Sequence, residues 1–270
     1  MNKYIREWML SSGVRFLREF ATLSIRKKHS RRHESHQKIV HEALYGASEF
    51  PRVLNGPFEG MLYINETVWG SITPRWIGSY ERCLWRVVDE IVSRRYRRIL
   101  DVGCAEGYYA VGLCRIVPDV DLYAFDMDSE SRRQLLRLWK LNGCPGKLTV
   151  GELLSFEGLM NLGAPGTLLI CDIEGGEMEL LNPLHCAALY KMDILVEVHR
   201  TGGCSVEENA ASLLKRFSQS HMIESLPPSQ VTEGLCGVSN LDENLLRQAL
   251  SEGRPYPQVW LWMKASTVNT

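Results

Sequence analysis

Between residues 98 and 219, short apolar runs alternate with stretches of helical periodicity, and that alternation leaves the chain few ways to fold. The apolar runs fall at 98–103, 121–126, 147–151, 167–172 and 192–199. Helical patterns fall at 107–116, 129–141 and 206–219, with a short helix after 151 and another pattern at 176–189. Runs such as "TLLICD" and "MDILVEVH" are nearly continuous in apolar residues, as expected of parallel strands covered by helices on both faces. Strand and helix in strict alternation predict a doubly wound, Rossmann-like α/β sheet. The tail departs from this rhythm. "HMIESL" and "PQVWLWMKA" read as two strands, with a short helix in "NLDENLLRQALSEG" between them, so the sheet should close with an antiparallel C-terminal strand.

Upstream, residues 80–95 are helical in pattern, with Leu84, Val87, Val88 and Ile91 on one face. Residues 46–78 are rich in Gly, Pro, Asn and aromatics, and "RVLNGPFEGMLYI" has the turn residues of a hairpin. This segment is expected to act as a lid, with Phe58, Tyr63, Trp69 and Trp76 either stacking on a ligand or packing beneath the loop. Residues 1–45 form a basic helical extension; 1–40 carry ten Lys/Arg and three Glu, whereas the whole chain has a net charge of −1. The helix within 4–28 is read as packing on the domain or a second subunit, with contact to an anionic membrane surface through 1–28 as the alternative. The expected organisation is therefore 1–45 extension, 46–78 lid or hairpin, and 79–270 main domain.

The balanced overall charge gives no reason to expect a nucleic-acid partner. Eight cysteines occur without a CxxC pair, which argues against a zinc site or disulfide scaffold and for a reducing, cytoplasmic setting. No apolar run is long enough to cross a bilayer, and charges interrupt any signal-peptide core near the start.

The stretch "RILDVGCAEGYYAVGL" (98–113) carries the strongest chemical signal. An apolar strand breaks into a turn with Gly103 and Gly107 and resumes as a helix, the arrangement that receives nucleotides beyond the carboxyl ends of strands. A dinucleotide fingerprint reads G-x-G-x-x-G, whereas Ala105 and Tyr108 stand at the second and third glycine positions. Glu106 in the turn is expected to repel a phosphate, and Asp101 to welcome an ammonium group. A cationic cofactor with an amino-acid tail, S-adenosylmethionine, fits both. Asp126, twenty-five residues after Asp101, ends the next strand and can accept hydrogen bonds from a ribose diol; nicotinamide enzymes use the same device, so it supports a nucleoside in general.

Four segments in order, "DVGCAEGYYAVGL", "YAFDMD" with "LNG", "LLICDIEGGEMELL" and "ILVEVH", resemble the FkbM-type branch of class I S-adenosylmethionine-dependent methyltransferases. The likeness spans about residues 78–200. Asp126 stands where Glu is more usual, and Cys104 where Ala is common. The resemblance implies a class I methyltransferase sheet, which the closing strand pair also suits, and a cofactor site built from Glu81, Asp101, Gly103, Cys104, Gly107, Asp126, Met127 and Glu152. In it, Asp101 and Glu81 meet the ammonium, Asp126 the ribose and Met127 the adenine. Glu152 either accepts from the adenine amino group or serves as a first-turn acid.

The next two strands should bring Asp172, Glu174, Glu197 and His199 to the substrate side. Acids this close raise one another's pKa unless a cation intervenes. Either His199 or Asp172 is a general base tuned toward neutrality, or the carboxylates hold a divalent ion; the metal-free version is preferred. The alternative reading of Glu197 and His199 is an outward-facing, salt-bridged pair at a strand end. The expected activity is methylation of a hydroxyl on a small molecule or glycan. The alternatives are an idle methyltransferase-like module that binds a partner and, less favoured, a nicotinamide-linked oxidoreductase.

Overall fold

The computed structural model describes residues 35–201, 203–229, 234–254 and 258–266. Seven strands form one sheet: β1 (Arg98–Val102), β2 (Asp121–Phe125), β3 (Lys147–Gly151), β4 (Thr167–Cys171), β5 (Asp193–Val198), β6 (His221–Leu226) and β7 (Val259–Ala265). Their order is β3-β2-β1-β4-β5-β7-β6. The first five strands pair in parallel, and β7 runs antiparallel between β5 and β6. This is the mostly parallel Rossmann-like sheet with an antiparallel C-terminal strand that the sequence led us to expect.

Alternating residues feed two cores, one on each face. Ile99, Leu168, Ile170, Leu195 and Trp262 enter one, and Leu100, Leu169, Cys171, Val196 and Leu261 the other. Every residue of β4 and β5 is buried, which accounts for their unbroken apolar sequences. All eight cysteines are free thiols. Among the described residues no helix is long and apolar enough to cross a membrane.

The helices are α1 (35–45), α2 (Thr73–Ile77), α3 (Trp85–Arg94), α4 (Tyr108–Ile116), α5 (Ser129–Leu141), α6 (Phe156–Leu162), α7 (Glu177–Leu180), α8 (Val206–Phe217) and α9 (Glu243–Ala249). Polar side chains start several of them: Asp128 accepts from the Glu130 amide, and Ser205 with Glu208 makes a reciprocal capping box. Two helical expectations need correction. The run over 176–189 stops at Leu180 and resumes only as a 3-10 turn, Ala187–Lys191, because Asn182-Pro183 interrupts the backbone ladder. The run over 80–95 begins as a 3-10 turn, Arg82–Leu84, preceded by Glu81 in the left-handed region at φ 46°.

The hairpin within 46–78 forms: Arg52 bridges Leu62, and the Val53 amide donates to the Met61 carbonyl at 2.9 Å. Phe58, Tyr63 and Trp76 are fully buried in the core beneath it, whereas Trp69 keeps 36% of its surface. Of the four aromatics considered for stacking on a ligand, three therefore pack the protein. The helix expected within 4–28, and any membrane contact through it, lies outside the described residues.

Candidate functional site

Strand register brings the expected site together. Gly151, Phe125, Val102, Cys171 and Val196 lie level across β3, β2, β1, β4 and β5. The residues that follow them are Glu152, Asp126, Gly103, Asp172 and Glu197, so one row at the carboxyl edge carries five expected site positions. Met127 follows Asp126 and is 52% exposed; Glu152 is exposed as well.

The turn after β1 is held from both sides. Gly103 and Cys104 both donate their amides to the Phe125 carbonyl, at 2.8 and 3.1 Å. Gly103 has φ +87°, and a Cβ there would lie 1.6 Å from the Asp172 carbonyl oxygen. At Gly107, φ +96°, a Cβ would lie 2.4 Å from Leu135 Cδ1 on α5. A backbone contact thus requires glycine at 103, and the positive φ favours it at 107, with or without a ligand. The Ala105 amide donates to Asp126 Oδ2 at 2.9 Å and the Asp128 amide to Asp126 Oδ1 at 2.8 Å, so the second acid is fixed by the first turn.

Asp101 is 3% exposed, and its Oδ2 has no hydrogen-bond partner. Burial, and then the charge of Asp126, push its carboxyl up to about 7, opposed by a hydrogen bond from the Ala110 amide. Cys104, 5% exposed, lies in the same turn. Glu106 does not play its expected part. It is fully buried, lies 3.3 Å from Arg75 Nε, and accepts from Tyr63 and Thr67 at 2.9 and 3.1 Å. Its charge is matched within the core, which removes the reason to think it repels phosphate.

A second cluster lies past β4 and β5. His199 Nδ1 and Glu177 Oε1 are 2.8 Å apart. Glu177 Oε1 also accepts from the Ile173 and Gly175 amides at 3.2 and 3.1 Å, tying the loop after β4 to the imidazole. His199 Nε2 faces Glu197 Oε2 at 3.3 Å, Glu174 Oε2 at 3.5 Å and Asp172 Oδ1 at 3.7 Å. Burial would lower the pKa of His199, but Glu177, Glu197 and Asp172 together raise it to about 11. The surrounding carboxylates thus favour the protonated imidazole, the opposite direction to burial. Burial, then Glu197, lift Asp172 well above the usual carboxylate range. Glu197 is held below that range, since His199 and Arg254 outweigh its burial.

Arg254 is the main functional-looking group that sequence reasoning missed. It lies in the loop between α9 and β7 and bonds Glu81, Glu197 and Gln258, with Glu252 Oε2 at 2.6 Å from its Nε. Glu81, expected to face a cofactor ammonium, faces this guanidinium instead and also accepts from the Tyr109 hydroxyl. Burial lifts the Glu81 carboxyl to about 7 despite Arg254. No local pattern marks Arg254's link to the site, because Glu197 and Glu81 lie 57 and 173 residues away. Glu177 could have been found: it is the last acid of "DIEGGE", placed to reach back to the loop's amides.

Neither a protein-family model nor a curated protein sequence matches the chain. Solved structures with a similar chain path include the O-methyltransferase TomG from Streptomyces achromogenes, in complex with S-adenosylmethionine. It shares 11% identity, with 70% of this chain and 89% of that one covered, at a TM-score of 0.43. Magnesium protoporphyrin IX methyltransferase from Synechocystis, with bound S-adenosylmethionine, shares 11% identity over 69% of this chain and 80% of that one, at 0.43. Precorrin-6y C5,15-methyltransferase from Geobacter metallireducens shares 14% over 66% and 89%, at 0.42. These are likenesses in chain path alone.

Proposed function

We propose that the chain is an S-adenosylmethionine-dependent methyltransferase acting on a hydroxyl of a small molecule or glycan. The observation that carries this reading is the Asp101 carboxylate, buried at the carboxyl end of β1 with one oxygen unpartnered and Asp126 beside it. An anionic phosphate is unfavourable there, and a cation relieves the cost of a buried acid with a second, partly exposed acid beside it. In this reading Asp101 receives the ammonium of the cofactor. Asp126 keeps acceptor capacity for the ribose, because each of its oxygens takes one of the backbone bonds described above. Gly103, Cys104 and Gly107 form the wall of the turn, and Met127 and Glu152 flank the adenine side. Glu81 acts through Arg254.

The donor supplies an activated methyl group; the protein supplies alignment and charge. Asp172, Glu174, Glu197 and His199 occupy the adjoining strand ends, where an acceptor hydroxyl would lie. One of these carboxylates can accept the hydroxyl proton as the methyl group is transferred in line. Residues 79–270 constitute the catalytic unit, with 46–78 covering one side.

Calorimetry with S-adenosylmethionine and with NAD, each alone, tests the reading. The expected result is one molecule of the first bound per chain and none of the second. Absence of heat with S-adenosylmethionine, or a preference for NAD, overturns it. Formation of S-adenosylhomocysteine across a panel of hydroxylated acceptors then separates an enzyme from an idle module.

A further inference from the structure

The cluster after β4 and β5 contains a mismatch that its own residues do not resolve. Asp172, Glu174, Glu177 and Glu197 surround His199, while Glu81 and Glu252 crowd Arg254 next to them. Six carboxyl groups thus face one imidazole and one guanidinium in a largely buried region. Such an excess calls for a further positive charge, or for protons taken up in its place.

Two atoms at the centre indicate where that charge belongs. His199 is 5% exposed, and its Nε2 has no hydrogen-bond partner. Glu197 Oε2 lies near it at 3.3 Å but off the line of an N–H bond. Asp172 Oδ1 is likewise buried and without a hydrogen bond. One donor atom from each of His199, Asp172 and Glu174 lies within 4.8 Å of the other two. Donor atoms bound to one ion at about 2.1 Å are roughly 3 to 4.2 Å apart. The His199 distances to Glu174 and Asp172, 3.5 and 3.7 Å, fall inside that interval.

We propose that Asp172, Glu174 and His199 form a binding site for one first-row divalent metal ion. Glu177 completes the pattern. A metal-ligating imidazole turns its second nitrogen to a carboxylate or carbonyl, which fixes the ring and its tautomer. Here Nδ1 lies 2.8 Å from Glu177 Oε1, and that oxygen also holds the backbone on either side of Glu174. One carboxylate therefore orients two of the three ligands. Glu197, engaged by Arg254 through Oε1, borders the site and adds negative potential. One imidazole nitrogen with carboxylate oxygens suits manganese, iron or cobalt better than calcium, which takes an all-oxygen shell. Three protein ligands leave coordination positions open on the side of the strand ends, where an oxygen ligand such as a hydroxyl can bind and be acidified.

This inference does not depend on the methyl donor, because the test uses the metal alone. Mn2+ is titrated into the full chain and followed by electron paramagnetic resonance and calorimetry, without cofactor or acceptor. The expected result is one ion per chain, with nitrogen hyperfine coupling in the pulsed spectrum and Ca2+ competing poorly. Glu174→Gln is the informative variant, because that side chain is 70% exposed and its replacement is expected to leave the fold intact. It should weaken Mn2+ binding at least about tenfold without shifting the melting temperature of the metal-free protein. His199→Gln should abolish the nitrogen coupling. Failure of the wild-type chain to bind Mn2+, equal binding by Glu174→Gln, or bound Mn2+ without nitrogen coupling would each overturn the proposal. A chain that binds Mn2+ but not S-adenosylmethionine keeps this site and loses the methyltransferase reading.

Discussion

Asp101 links the proposed binding chemistry to a measurable cost in the free protein. Folding raises its carboxyl from an ordinary 3.8 to about 7, mainly through burial. Below pH 4 the group is protonated in both states and costs nothing. As pH rises from 4 to 7 the unfolded chain releases the proton first, so stability falls by up to about 4 kcal/mol. Above pH 7 the loss is complete and constant. Asp101→Asn should flatten this part of the pH profile, leaving the variant more stable than wild type at pH 8 while the two converge near pH 4. Urea unfolding at several pH values measures this, and parallel profiles for the two proteins would count against it. A bound ammonium favours the ionised carboxylate, so affinity for S-adenosylmethionine should rise as pH increases toward 7 and level off above it. Calorimetry across pH 5.5 to 8 reads that trend; a flat profile separates Asp101 from the cofactor.

Among the elements, the junction of β1 and β4 is the least tolerant of change. Gly103→Ala combines a positive φ with a Cβ 1.6 Å from the Asp172 carbonyl, so β1 and β4 cannot keep their register. Loss of more than about 4 kcal/mol, or of folded protein altogether, is expected. Gly143→Ala is the control: it has φ +56° and nothing within 4 Å, and should cost only about 1 kcal/mol. Circular dichroism melts of the two variants compare them directly; similar losses would rule out the backbone contact as the cause. These junctions were legible in the sequence because their signal is local. A buried parallel strand is an apolar run, and a turn that crosses another backbone needs glycine. The row Glu152, Asp126, Gly103, Asp172 and Glu197 could be anticipated for the same reason, since the first four follow directly on a strand and Glu197 lies one residue before the end of β5. Helix lengths were less legible where a single Asn-Pro step cut short the helical pattern over 176–189. Glu106 was misread because a residue's neighbours in sequence do not reveal that Arg75 lies 3.3 Å from it.

At the scale of the whole molecule, Arg254 joins segments that no local pattern connects. Its guanidinium ties Glu81 ahead of β1 to Glu197 on β5, from a loop that precedes β7. Arg254→Met leaves both carboxylates buried without their cation and should cost about 3 to 5 kcal/mol. Pairing it with Glu81→Gln should recover part of that loss, and a double-mutant cycle in urea measures the coupling. Strict additivity would show that Arg254 and Glu81 do not act together. The placement of β7 has a consequence for how such a chain matures. Because β7 follows β5 and β6 in sequence yet lies between them, β6 has no neighbour in the sheet until residues 259–265 have left the ribosome. A nascent chain arrested before that point carries two open strand edges, at β5 and at β6, and is a natural client for a holding chaperone. Trp260 and Trp262, buried only when the insertion is complete, would report the moment of closure by fluorescence.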